Sequence, residues 1–219
     1  MKILIVGESI QFEEGRSKLG QHDYIHVTSH DAASEALTDR EIVFDFLASE
    51  NPGAVRIYSN NSVTVFLNAW RLCLSDFCQP FRNGIHCTVF GFNGFPTMFN
   101  REFLEISMLN SSDLRALENI CASLKTPFIQ VDDRVGLVTP RVVCMIINEA
   151  YYTIQEGTAS REDIDLAMKL GTNYPYGPFE WCEKIGVKNV YRLLEAVYQD
   201  TKDERYKISA LLKKECFSY

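Results

Sequence analysis

Residues 2–7, KILIVG, form an unbroken apolar run that stops at a glycine. A short run without polar alternation is buried on both faces, the pattern of a central parallel strand. Parallel strands need crossover connections, so this stretch commits the chain after it to alternate strands with helices. YIHVTS (24–29), EIVFDFLA (41–48) and AVRIYSN (54–60) follow at short intervals and read as further strands. HCTVFGF (86–92) and PFIQVDD (127–133) add two more. QFEEGRSKLG and HDAASEALTDR read as short helical or irregular crossovers. SSDLRALENICASLK (111–125) reads as an amphipathic helix, with Ser111 suited to its N-cap and Asp113 to the positive end of its dipole. The expectation is a doubly wound, Rossmann-like α/β sheet.

From Gly136 onward the strand pattern is gone. Thr139-Pro140 reads as an N-cap followed by proline at the first helical position, opening a helix that stops at Gly157. Ser160 and Asp163 form a capping-box variant before a helix ending at Gly171. Pro178 opens a short helix closed by Gly186, KNVYRLLEAVYQD forms a long one, and SALLKKE ends the chain. The expected organisation is therefore α/β plus all-α, with domains 1–135 and 136–219.

Composition narrows the functional classes. Residues 1–135 hold 11 Lys+Arg against 17 Asp+Glu, and 136–219 hold 11 against 12. Neither half offers a basic patch for nucleic acid. No apolar run approaches the roughly 18 residues of a membrane span, and the opening MKILIVGES does not read as a signal peptide. Seven scattered cysteines, without a C-x-x-C pair, read as reduced core thiols of a cytoplasmic protein. With four histidines and no such pair, a structural zinc site is not expected.

The stretch TASREDIDLAMKLGTNYPYGPFEWCEKIGVKNVYRLLEAVYQ (158–199) resembles the C-terminal helical domain of 3-hydroxyacyl-CoA dehydrogenases. The likeness extends upstream through GLVTPRVVCMIINEAYYTIQEG and downstream to RYKISALLKK, about 85 residues in all. It implies an oxidoreductase of fatty-acid metabolism, NAD as cofactor, an acyl-CoA substrate, and a homodimer formed by the helical domain. In KLGTNYPYGPFEW (169–181) the glycines, prolines and rings of Tyr174, Pro175, Gly177 and Pro178 are expected to shape an interhelical turn rather than to carry chemistry.

Over the first 135 residues the resemblance is to a shortened Rossmann domain. The Gly-rich fingerprint falls on GESIQF, where Gly7 stands first while Ser9 and Phe12 replace the second and third glycines. A Phe at the helix–strand packing position implies a different geometry there. The expected ribose-binding acid falls near Ser29 or Asp31. By resemblance Gly7, Ser9 and Asn60 are the cofactor-binding candidates.

The catalytic candidates are Ser62, His86, Asn93 and Glu105. SNNSV matches the family's substrate-contacting serine segment, placing Ser62 and Asn60; a polar cap on the preceding strand is an equal reading. FGFNGFPTMFNREFLE matches the segment of the catalytic His, with Asn93, Pro96, Met98 and Glu105 in place but Phe90 where the His should be. A phenyl ring accepts no proton. Reading NGIH as the family's GLH instead recruits His86. GLVTPR puts Pro140 where the family has an Asn that bonds the substrate carbonyl, with Arg141 matching beside it.

Two functions follow. One is dehydrogenase chemistry, with His86 as base held by Glu105. The other is a non-catalytic paralogue that binds acyl-CoA or serves as a partner subunit, its Phe90, Phe92, Phe95 and Phe99 forming core. Redox sensing through Cys73 and Cys78 is a third class, against which buried inert thiols are the default.

Overall fold

The computed structural model describes residues 1–79 and 86–218, so the NGI preceding His86 lies outside the described residues. The chain divides into two compact units, Met1–Leu137 and Val138–Tyr219.

The first unit runs β1 (Lys2–Val6), α1 (Ser9–Leu19), β2 (Asp23–Val27), α2 (His30–Ala36) and β3 (Ile42–Asp45). A 3-10 helix (Pro52–Ile57), β4 (Thr64–Asn68), α3 (Leu74–Cys78) and β5 (Thr88–Phe92) follow, then β6 (Leu104–Met108), α4 (Leu114–Ser123) and β7 (Phe128–Gln130). Among the described residues these strands form one sheet in the order β2-β1-β3-β4-β5-β6-β7. All neighbours pair in parallel except β5 with β6. The usual doubly wound order, 3-2-1-4-5-6, has one more strand beyond β2. Its absence makes β2 an edge strand and contributes to the shortness of this unit.

Each sheet face carries its own apolar core. One gathers Leu4, Val6, Val43, Val65, Leu67 and Val89. The other is dominated by Phe44, Phe46, Phe66, Phe90, Phe92 and Phe99. Their rings interlock at centroid distances of 4.6 Å (Phe44–Phe66), 5.0 Å (Phe46–Phe92 and Phe46–Phe99) and 5.3 Å (Phe66–Phe90). The expectation of core phenylalanines holds for Phe90, Phe92, Phe95 and Phe99, all fully buried.

Several sequence expectations need correction. AVRIYSN is no strand: its β-branched residues sit largely in the 3-10 helix that Pro52 opens, and the strand lies further on at Thr64–Asn68. Strand β6 has no counterpart among the expected strands, because the polar residues of REFLEISM mask a strand whose Leu104, Glu105, Ile106 and Ser107 are all buried. Ser111 is not a cap; a 3-10 turn, Ser111–Asp113, leads into α4. Thr139 is the first helical residue and Pro140 the second, a shift of one position.

The second unit is helical: α5 (Thr139–Gln155), α6 (Arg161–Thr172), α7 (Pro178–Ile185), α8 (Val187–Thr201) and α9 (Ala210–Phe217). Ser160 caps α6 by accepting from the Asp163 N–H at 3.2 Å. Asn173, in the left-handed region at φ 55°, ends α6 two residues beyond Gly171. Helix α7 is capped from outside its own segment. The buried Asp165 carboxylate on α6 accepts the N–H groups of Phe179 at 2.8 Å and Glu180 at 3.1 Å. Two of the four free donors at a helix start are satisfied in this way. Tyr174 and Tyr176 pack their rings against Trp181 at 5.6 and 6.3 Å. KLGTNYPYGPFEW is thus a helix-joining device in which glycine, proline and rings each have a packing reason.

No helix among the described residues is long and apolar enough to cross a membrane. All seven cysteines are thiols rather than disulfides, and all but Cys73 are buried.

Candidate functional site

In open α/β sheets ligands bind outside the carboxyl ends of the parallel strands, where successive crossovers diverge. Here that edge is built by Gly7 after β1, Phe46 after β3, Asn68 ending β4 and Asn93 after β5.

Gly7 is buried, and its N–H donates to the Val27 carbonyl at 3.0 Å. Its own carbonyl accepts from His26 Nε2 at 2.9 Å. Helix α1 then starts almost at once, and Gln11 folds back over its beginning. The Gln11 Oε1 accepts the Glu8 N–H at 2.8 Å and lies where a side chain on Gly7 would go. Ser9 is exposed at the first helical position. Phe12 is partly buried at the margin of the helix–strand seam and stacks on His26 of β2, centroids 4.6 Å apart and planes within 6°. Close approach occurs one turn later at Gly15, where an added Cβ would stand 2.7 Å from Ile5 Cδ1. The different geometry expected from Phe12 is therefore a displaced glycine contact.

The residues do not suit a dinucleotide in the manner the resemblance implies. A pyrophosphate is cradled by free N–H groups at the start of this helix; here the first of them is taken by Gln11. After β2, Ser29 caps α2 by accepting the Ala32 N–H at 3.3 Å, and Asp31 is exposed in the first turn of that helix.

On the β4–β5 side, Asn68 and Asn93 are each 2% exposed. Asn68 Nδ2 donates to the Phe46 and Gly94 carbonyls at 3.2 and 3.3 Å, and its Oδ1 accepts the Gly94 N–H at 2.9 Å. One amide laces the ends of β3, β4 and β5 together. Asn93 Oδ1 accepts the Phe95 N–H at 3.2 Å, closing a local turn. Asn93 and Glu105 are brought together, since the Asn93 N–H donates to the Glu105 carbonyl at 3.1 Å. Phe90, three residues earlier, is fully buried against Phe66.

Three other candidates lie elsewhere. Asn60 and Ser62 are exposed in the turn before β4, and His86 is exposed before β5, its N–H donating to the Ser59 carbonyl at 2.8 Å. All three sit at the amino ends of strands whose carboxyl ends form the binding edge. His86 precedes Asn93 by seven residues, and a strand rises about 3.3 Å per residue, so roughly 20 Å separates them. The pairing of His86 with Glu105 is therefore overturned. The same geometry removes Ser62 and Asn60 from this edge: the segment that ends β4 is Asn68-Ala69-Trp70, not SNNSV. Asn68 is the residue that sequence reasoning missed, although an Asn closing the apolar run VFL was a legible strand end.

Residues 136–217 match the family described as "3-hydroxyacyl-CoA dehydrogenase, C-terminal domain". A 3-hydroxyadipyl-CoA dehydrogenase of Escherichia coli strain K12 is 46% identical over 85 residues, 39% of this chain and 18% of that protein. A 3-hydroxybutyryl-CoA dehydrogenase of Bradyrhizobium diazoefficiens is 30% identical over 175 residues, covering 80% of this chain and 57% of that protein. With the Bacillus subtilis and Deinococcus radiodurans relatives, both probable 3-hydroxybutyryl-CoA dehydrogenases, the chain spans 30 and 32% of their length. Among solved structures, (S)-3-hydroxybutyryl-CoA dehydrogenase of Ralstonia eutropha superposes with a TM-score of 0.74 at 19% identity, covering 97% of this chain and 92% of that one. That likeness is one of fold. The helical C-terminal unit thus matches the C-terminal domain of the 3-hydroxyacyl-CoA dehydrogenase family.

Proposed function

We propose that this protein is a 3-hydroxyacyl-CoA dehydrogenase-like member of fatty-acid metabolism that does not itself run hydride transfer. It serves as an acyl-CoA-binding partner subunit, pairing with a second chain through its helical unit. The observation that carries this reading is Phe90: the position of the proton-accepting His is a phenyl ring sealed in the core against Phe66. By resemblance Asn93 and Glu105 stand for the Asn and the imidazole-orienting Glu of that segment, and they are joined here through their backbones at 3.1 Å. The Gln11 cap over the start of α1 argues in the same direction for NAD. Leu166 and Leu170, exposed one turn apart on α6, supply an apolar face for a homodimer. Acyl-CoA recognition rests on the named substrates of the relatives.

The test is a spectrophotometric assay of the purified protein with NADH and acetoacetyl-CoA, beside thermal-shift measurements with each ligand alone. The expected result is no NADH oxidation, no stabilisation by NADH, and stabilisation by the acyl-CoA. Turnover that survives His86→Ala would overturn the non-catalytic reading and point to a base elsewhere.

A further inference from the structure

Asp45, the last residue of β3, is a fully buried carboxylate facing the apolar core of Leu4, Val6, Val43 and Val65. A buried charge is costly unless hydrogen bonds replace its water. Asp45 has three donors. His30 Nε2 and the Tyr58 hydroxyl both donate to Oδ2 at 2.9 Å, and the Leu47 N–H donates to Oδ1 at 2.9 Å. They come from three segments: the first residue of α2, the turn after the 3-10 helix, and the loop after β3. One carboxylate therefore holds three otherwise separate pieces of chain.

Its position is as informative as its bonds. Asp45 lies in register with Val6 of β1. The next residue, Phe46, donates its N–H to the Val6 carbonyl at 2.8 Å, and its Cβ stands 3.1 Å from where a Cβ on Gly7 would be. The cluster thus borders the β1–β3 crevice, where crossovers diverge to opposite sides of the sheet.

We propose that His30, Asp45 and Tyr58 form a proton-operated latch, closed while His30 carries its proton and slackened when His30 is neutral, so that the start of α2 and the β3 wall of the crevice loosen as pH rises. The charged form is the one that gives a charge-assisted bond to Asp45; the neutral imidazole gives a weaker one. The His30 side chain is 11% exposed, enough to exchange its proton with solvent.

The groups around His30 set the direction of the effect. Burial disfavours the imidazolium, but the hydrogen bond and charge of Asp45, with Asp31 of the same helix adding, outweigh it and hold His30 above its ordinary value. Burial and the neighbouring Asp45 push Tyr58 far above the usual phenol range, so it remains a donor throughout. Near the cluster β1 and β2 bring Leu4, Val6, Ile25 and Val27 to this face, their charged Lys2 and Asp23 lying at the opposite, amino ends of those strands. The buried Cys87 thiol neighbours Tyr58, and Arg56 of the 3-10 helix is exposed. A folded value raised above the unfolded one, about 6.5, means that stability is fully present below that pH. It is lost as pH rises through the native value.

The experiment is an NMR titration of His30 in the full-length protein, with hydrogen exchange of the Ala33 and Leu47 amides followed over the same pH range. Protection, corrected for intrinsic exchange, is expected to fall severalfold across the His30 midpoint, and the step is expected to vanish in His30→Gln. Tyr58→Phe leaves Asp45 with one donor fewer and should move the His30 midpoint further up. Equal protection on both sides of the midpoint, or a step that persists in His30→Gln, overturns the latch. Should His30→Gln fail to fold, an unmoved midpoint in Tyr58→Phe overturns it equally.

Discussion

The carboxylate of Asp165 occupies the space that a side chain on Gly177 would need. Both oxygens of Asp165 are committed to the N–H groups of Phe179 and Glu180, so it has nowhere to retreat. Gly177 also donates its own N–H to Glu180 Oε2 at 3.0 Å, fixing the same corner from the other side. Gly177→Ala should therefore overpack the α6–α7 corner and cost about 1–3 kcal/mol. Asp165→Ala, which removes the cap, should cost about 1–2 kcal/mol. Trp181 lies in this unit and Trp70 in the other. Denaturant unfolding with Trp70→Phe as background isolates the Trp181 signal. An unshifted midpoint for Gly177→Ala would show that Asp165 does not hold its place.

This corner explains why one half of the chain was legible and the other less so. Asp165, Gly177, Pro178 and Glu180 lie within sixteen residues and interact through local geometry, so their spacing carries the structure. The sheet depends on which strand lies beside which, and spacing along the chain does not encode that. SNNSV matched a site by letters, yet the turn it forms leads into β4 rather than out of it, and the side chains of Asn60 and Ser62 fall at the wrong end. The run from Val55 to Tyr58 has strand propensity, but Pro52 at its head and the Tyr58–Asp45 bond favour a 3-10 helix. Glu105 is singled out in the sequence by the motif its neighbours match; Asn68 is not, because its hydrogen bonds run across three strands.

Phe90→His tests whether restoring the base restores a site. The imidazole would enter an apolar cluster that offers Phe66 a ring contact and no hydrogen-bond partner. Loss of the phenyl packing and burial of a polar ring should cost the first unit about 2–4 kcal/mol. No NADH oxidation is expected. Measurable turnover by the variant would mean that a single ring separates this chain from an active enzyme, and would overturn the reading that NAD is not bound.

His86→Ala should be nearly silent. The side chain is exposed, and its backbone bond to Ser59 does not depend on the imidazole. Stability should change by no more than about 0.5 kcal/mol, as for other surface substitutions. A larger loss in the Trp70 signal would show that His86 supports the start of β5 through its ring.

The thiols should divide sharply in reactivity. Burial pushes Cys78 and Cys182 up to about 11 and Cys121 to about 12, leaving almost no thiolate at neutral pH. Cys73 alone is only half-buried. A chromogenic disulfide reagent at mildly alkaline pH should label Cys73 first and the other six only on unfolding, with Cys73→Ser removing the early phase. Rapid labelling of two native thiols, one of them Cys78, would revive a redox role for this pair.

Arg161 and Glu215 should make the helical unit acid-sensitive. The Arg161 guanidinium donates to both Glu215 oxygens, at 3.2 and 2.6 Å, and stacks over Phe179 at 4.8 Å and Tyr151 at 5.3 Å. The hydrogen bond from Arg161 holds the Glu215 carboxyl below its ordinary value, against the opposing effect of burial. For a depressed carboxylate, stability is present above the unfolded value, near 4.3, and is lost as pH falls through the lower native value. The pair is partly solvated, with side chains 40% and 26% exposed, so a contribution of about 1 kcal/mol is the expected scale. Glu215→Gln should lower stability near neutral pH by that amount and flatten the acid limb of the Trp181 unfolding profile. Arg161→Lys, which keeps the charge but loses the planar fork and much of the ring stacking, should fall between. Identical acid limbs in wild type and Glu215→Gln would assign the acid sensitivity to another carboxylate.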